Sequence, residues 1–268
     1  DRASRHILSM RLGVIGGTGL IAMGTDGFES HGISVKQHDN MVVETPFGPV
    51  PLNCMTLDVN GVEKELIFLQ RHHSESGHGC PPHMINHHAN IMAMQDAGVD
   101  LVLSVCSVGA IAPTFQPGKV AVANQYIDFT GVTTTFHSDE SVFTSVTQPF
   151  DRQTNERLID VLRSEQSLDP SEPMMYTYWL AQGPQFETVA EVNAIERLGG
   201  EMVGMTMPRE AKLAKELDLP YVAVCISSNW AAGREPGDGS KDLNHTEVSA
   251  QANDRLGPVR ACILALLK

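Results

Sequence analysis

Apolar and polar positions fall in blocks along this chain, and the period of the blocks changes repeatedly. The most informative block is Tyr221–Gly233, which reads Y-V-A-V-C-I-S-S-N-W-A-A-G. Its first six residues, apolar or aromatic, predict a strand buried on both faces. Polarity then switches abruptly at Ser227-Ser228-Asn229. Such a switch suits the carboxyl end of a strand in an open parallel sheet, where ligands sit. Asn229 offers both a donor and an acceptor, enough to read a heterocycle edge or to close its own turn.

Similar apolar runs predict strands at Leu12–Ile15, Val50–Val59, Val62–Leu69, Leu101–Val105, Lys119–Asn124, Met174–Leu180 and Met202–Met205. Asn60-Gly61, between the second and third of these, predicts a two-residue hairpin turn. Helical spacing predicts helices over 83–97, 151–165, 187–198 and 208–217, and a last one from near His245 to Leu267. Residues 129–148 are rich in Thr and Ser and read as an irregular excursion. Strands alternating with helices define an α/β chain, a single domain with a mixed, largely parallel sheet flanked by helices. Residues 10–268 are taken as that domain, and residues 1–9, with no apolar core, as an extension outside the fold.

Composition narrows the function. The 268 residues are 42% hydrophobic and 19% charged, enough for one large core. A formal net charge of −13 argues against nucleic-acid and membrane-surface binding, both of which need a basic footprint. The five cysteines (Cys54, Cys80, Cys106, Cys225 and Cys262) are scattered, with no C-x-x-C, which predicts a reducing, cytoplasmic setting. No apolar run approaches the roughly 20 residues of a membrane span.

The chemistry gathers where strands end. Leu12–Ile15 breaks into Gly16-Gly17-Thr18-Gly19, where backbone N–H groups can crowd an anion and Thr18 adds a hydroxyl. A loose dinucleotide fingerprint also fits there, but Gly24, Gly27 and Gly32 leave no good helix to hold a pyrophosphate. The strand ending at Leu69 emerges at Gln70-Arg71-His72-His73, and six of the eleven histidines lie between Arg71 and Asn90. Zinc is one reading of that cluster, with His83 and His87 one helical turn apart, yet H-E-x-x-H is missing and the segment is broken by glycine and proline. An anion clamp is the better reading, because a guanidinium matches phosphate oxygens bidentately. Glu187, near a helix start, has a plain structural explanation in the helix dipole. The strand-end set of Thr18, Arg71, His72, Ser107, Thr206 and Asn229 suits a phosphate beside a pocket for a planar group.

Several stretches carry a resemblance. They are G-V-I-G-G-T-G-L, the Arg71-His72 pair, N-H-H-A-N at Asn86–Asn90 and V-G-A after Ser107. Q-P-G-K-V at Gln116, G-P-Q-F-E-T-V-A-E at Gly183 and V-G-M-T at Val203 extend it. Together they resemble the trimeric purine nucleoside phosphorylase and methylthioadenosine phosphorylase family over nearly the whole chain from Met10. The resemblance implies phosphorolysis of an N-glycosidic bond, giving free purine and a ribose 1-phosphate. It assigns phosphate binding to Thr18, Arg71, His72, Cys106, Ser107 and Thr206, and catalytic work to Asn229 and His72. Phe186, Glu187, Asn229 and Ala231 would line the base. Met205, His245 and a neighbouring subunit's copy of Phe143 would meet the sugar, so a homotrimer with shared active sites is implied. His245 could equally cap the last helix. No metal or organic cofactor is implied, and inorganic phosphate is a co-substrate.

Three regions depart from the family pattern. Cys106 stands where threonine or asparagine is usual. The usual proline is shifted by one in Thr206-Met207-Pro208-Arg209-Glu210, and His73–Gly79 matches neither subfamily. The methylthioadenosine enzymes carry aspartates at the positions of Asn229 and Ala231. An asparagine donates to the O6 and N7 side of a 6-oxopurine while Glu187 accepts from N1, so inosine and guanosine are expected over adenosine derivatives. The 5′ group, hydroxyl or methylthio, is left open, as is a phosphate- or nucleotide-binding protein without catalysis.

Overall fold

The computed structural model describes residues 10–17, 26–29, 31–244, 246, 247, 250 and 255–268. Nine strands form one sheet: β1 (Arg11–Gly16), β2 (Ile33–Thr45), β3 (Gly48–Val59), β4 (Val62–Gln70), β5 (Leu101–Ala110), β6 (Val120–Asp128), β7 (Met175–Leu180), β8 (Met202–Gly204) and β9 (Tyr221–Trp230). Among the described residues five helices longer than one turn accompany them: α1 (His87–Asp96), α2 (Arg152–Glu165), α3 (Val189–Arg197), α4 (Met207–Glu216) and α5 (Leu256–Leu267). The fold is thus mixed α/β. The pairings β1–β4, β1–β5, β5–β9, β6–β7 and β7–β8 are parallel, and the remaining four are antiparallel.

The sheet has two parts. β2, β3 and β4 form an antiparallel meander that joins the rest through β1. The β3–β4 turn is Asn60-Gly61, with φ of 54° and 80°, the left-handed pair a two-residue hairpin demands. Beyond β1 the strands close on themselves, because β5 pairs β8 on one side and β9 on the other, while β9 also pairs β6. This ring of β5, β8, β7, β6 and β9 brings the ends of distant segments together.

The predicted strand cores appear, several of them extended. β9 runs on through Ser227, Ser228 and Asn229 to Trp230. The two serines stay buried because Ser227 Oγ donates to the Phe115 carbonyl at 2.8 Å and Ser228 Oγ lies 3.2 Å from that of Val108. β2 has no counterpart among the predicted strands. Most of its residues are exposed, so its sequence carries no apolar run. The first predicted helix begins at His87, behind a short 3-10 turn at Pro82–Met84, where Asn86 accepts from Ala89 N at 3.0 Å. The third begins at Val189, with Thr188 and Glu191 forming a reciprocal capping box. Glu187 therefore lies before that helix and not in its first turn. Of the last predicted helix, Leu256–Leu267 is described as α5. Among the described residues no helix is long and apolar enough to cross a membrane.

Candidate active site

The parallel register of β1 and β4 ends with Gly16 opposite Gln70, and the next amide, Arg71 N, donates to the Gly16 carbonyl at 2.9 Å. Gly17, after β1, and the Arg71-His72 pair, after β4, thus leave the sheet side by side. Thr18 lies outside the described residues.

Arg71 is turned inward. Its Nε donates to Glu210, its Nη1 to the Val105 carbonyl at 3.0 Å and its Nη2 to Ser104 Oγ at 2.7 Å. The guanidinium is 4% exposed and the Glu210 side chain fully buried. Ser104 and Tyr221 each donate a hydroxyl to Glu210 Oε2 at 2.8 Å. Burial pushes the Glu210 carboxyl up, but the Arg71 charge and hydrogen bonds outweigh it and hold the group below its usual range. An open clamp was expected at Arg71, whereas the structure has a guanidinium already engaged by a carboxylate. Cys106 joins the same network from β5, its sulfur 3.8 Å from Arg71 Nη2. Opposite it in register is Cys225 of β9, whose thiol lowers the Cys106 pKa by hydrogen bonding, against burial, with help from Arg71.

Alternation along β5 sends Ser107 to the other face, where it is exposed. Its hydroxyl donates to Ser228 Oγ at 2.9 Å, and Ser228 in turn donates to Asn229 Oδ1 at 2.8 Å. That chain orients the Asn229 amide. Nδ2 then gives one hydrogen to the Trp230 carbonyl at 2.8 Å and keeps a second. Asn229 and Ala231 share a cleft of about 170 Å³ with Pro117, Gly233, Glu235 and Asn244.

Thr206 is the N-cap of α4, almost fully buried, and its side chain makes no capping bond. Its backbone N–H points at the Tyr178 hydroxyl, 3.3 Å away. The preceding Met205 lies against Gly183, where an added Cβ would sit 2.5 Å from the Met205 sulfur; Gly183 also has φ of +66°. The left-handed φ is what favours glycine there. The turn it starts carries Phe186, 37% exposed, and Glu187. Burial, reinforced by Glu191, raises the Glu187 carboxyl above its ordinary value.

His72 Nδ1 lies 2.8 Å from the Cys80 carbonyl, which can only accept, so that nitrogen carries the hydrogen. Neighbouring histidines have structural partners. His73 Nε2 meets Asn90 Oδ1 at 2.7 Å, and His88 Nε2 donates to the Thr135 carbonyl at 2.9 Å. His88 also packs against Phe47 and Phe136. Among the described residues no three His, Cys, Asp or Glu side chains converge as metal ligands do. Phe143 stands 94% exposed in the 129–148 excursion. His245 lies outside the described residues.

Three residues outside the strand-end set border these groups. Glu210 and Ser104 fix Arg71. His87, at the start of α1, is 5% exposed and has no hydrogen-bond partner on either ring nitrogen. Burial drives its pKa down to about 4. Helical spacing could have revealed Glu210, a carboxylate on the apolar side of α4 with nowhere to go but toward a cation.

Hydroxyls, an oriented amide and a helix start without a side-chain cap thus lie along a ring of mixed strands in an α/β protein. The chain belongs to the phosphorylase superfamily, whose family model matches residues 30–268. It is 33% identical to the 6-oxopurine nucleoside phosphorylase of Pyrococcus furiosus, over 96% of this chain and 92% of the relative. It is 32% identical to a protein of Pseudomonas syringae named probable S-methyl-5′-thioinosine phosphorylase, over 95% and 97% of the two chains. The methylthioadenosine phosphorylase of Schistosoma mansoni, in complex with adenine, shares the fold at a TM-score of 0.78 and 24% identity, covering 96% of this chain and 91% of that one.

Proposed function

We propose that this protein cleaves the N-glycosidic bond of 6-oxopurine nucleosides with inorganic phosphate, releasing the purine and a pentose 1-phosphate. The observation that carries this reading is the hydroxyl chain from Ser107 through Ser228 to Asn229. It holds the asparagine with one amide hydrogen to spare in the cleft, next to the groups suited to phosphate. Phosphate rests on Thr206, His72 and the backbone around Cys106-Ser107, and Thr18 is assigned to the same group from its place in the sequence. Arg71 supports that group from behind through Glu210. Cys106 lends only backbone to the phosphate, because its thiol is committed to the Arg71 network.

The work of these groups is positioning and charge stabilisation. As the glycosidic bond lengthens, positive charge develops on the sugar, and the phosphate dianion both stabilises it and attacks. Asn229 donates to the departing base at N7 or O6, and Glu187 accepts from N1–H. Phe186 packs on the base, Ala231 leaves room for it, and Met205 lies under the sugar. Two kinds of relative, acting on 6-oxopurine nucleosides and on methylthioinosine, share the same base, so the base contacts fit both. The 5′ group is the point of choice between them, and we favour the hydroxyl, with His245 beside it.

Asn229→Asp is the test. An ionised aspartate facing O6 opposes two acceptors, which lowers kcat/KM for inosine about 10- to 100-fold. Adenosine activity is unchanged or improved. Unaltered inosine kinetics in this variant would remove Asn229 from the base site.

We also infer a homotrimer in a reducing cytoplasm. Phe143 is an aromatic residue with no shelter in its own chain, beside the exposed Val142 and Val146. A neighbouring sugar site gives it an apolar partner.

A further inference from the structure

We propose that Arg209, a residue standing where the chain departs from its family's pattern, supplies the positive charge that neutralises the bound phosphate. This inference rests on the phosphorolytic reading and sharpens one subsite of it.

The argument begins with charge balance. Arg71 is already neutralised by Glu210, and both are buried. Arg209, one residue before Glu210, is only 6% exposed. Its Nη2 donates to Gln182 Oε1 at 2.6 Å, a neutral partner. Its Nε is buried without any hydrogen-bond partner. No carboxylate among the described residues forms an ion pair with it. A guanidinium withdrawn from water without a counter-charge is unfavourable unless an anion joins it.

Position supplies the second half. Arg209 lies in the first turn of α4, and its backbone N–H reaches the Thr206 carbonyl at 3.2 Å. That helix end already favours negative charge through its dipole and its uncapped amides. Gln182, which holds the guanidinium, directly precedes the glycine pressed against Met205. Arg209 therefore links the first turn of α4, which follows Thr206, to the loop that carries Phe186 and Glu187. His87 completes the surroundings. Its two unpartnered nitrogens lie within electrostatic reach of Arg71, Arg209, His72 and Glu210, and burial keeps the ring neutral, so it adds no competing cation. The group that fits is a small dianion, free inorganic phosphate before reaction and the ester phosphate of the product after it.

The experiment compares wild type, Arg209→Gln and Arg209→Lys in two measurements. One is the rise in Tm caused by inorganic phosphate without nucleoside. The other is the pair of kcat/KM values for phosphate and for inosine. Arg209→Gln is expected to lose the phosphate-induced rise and to lower kcat/KM for phosphate about 100-fold, with the KM for inosine within threefold. Arg209→Lys should recover at least tenfold of that loss. A phosphate-induced Tm rise that survives in Arg209→Gln overturns the proposal, as does an equal loss for both substrates. If Arg209→Gln does not fold, Arg209→Lys decides alone: a selective loss toward phosphate supports the assignment, and unchanged kinetics or a second failure to fold makes Arg209 a scaffold cation. If wild type itself shows neither phosphate-dependent base release nor a Tm rise, the phosphorolytic reading fails, an outcome distinct from the failure of Arg209.

Discussion

Arg71 and Glu210 form a buried pair whose worth is seen only when it is broken. Removing one partner leaves the other charge unpaired in the interior, at a cost of about 3–5 kcal/mol, whereas replacing both with apolar groups can be nearly neutral. Arg71→Met should therefore lower the unfolding free energy by about that amount, and Arg71→Met combined with Glu210→Met should restore most of it. Denaturant unfolding at fixed protein concentration measures both; a single variant costing less than about 1 kcal/mol contradicts the account. Glu187 behaves differently, since burial raises its carboxyl pKa above the ordinary 4.5. It must be ionised to accept from N1–H, so kcat/KM for inosine should fall as pH drops through that raised value. Glu187→Gln should lower kcat/KM by about 10-fold or more and abolish the acid limb of the profile. An acid limb that persists in the variant belongs to another group.

Elements whose sequences alternate or run apolar were legible before any coordinates. β1, β5 and β9 are buried on both faces, and their residues say so. The β3–β4 hairpin was visible in two residues, because few dipeptides tolerate the left-handed pair. β2 was not visible, since an exposed edge strand needs no apolar pattern and gains its order from pairing along its whole length with β3. The end of β9 was misjudged for a related reason. Ser227 and Ser228 look like loop residues, yet the Phe115 carbonyl takes the hydrogen of the first, and the second is held between Ser107 and Asn229. The site divides along the same line. Residue types at strand ends pointed to Ser107, Thr206 and Asn229. The inward turn of Arg71 depends on Glu210, 139 positions away, which no local pattern reports.

Closing the strands into a ring lets residues from β5, β9, the loop after β7 and the start of α4 meet at one edge. The 129–148 excursion, by contrast, carries Val132, Val142 and Phe143 at the surface. If these cover a neighbour's sugar site, Phe143→Ala should raise the KM for inosine about 10-fold or more while leaving the KM for phosphate little changed. Sedimentation of wild type should give three copies per particle. A monomer with full activity would contradict shared sites. The claim on which everything else depends is phosphorolysis itself. Incubating the protein with inosine should release hypoxanthine only when inorganic phosphate is present, and phosphorus NMR should show the phosphate converted to a pentose 1-phosphate in equal amount. Hypoxanthine released at the same rate without phosphate, or no release under either condition, would contradict the account.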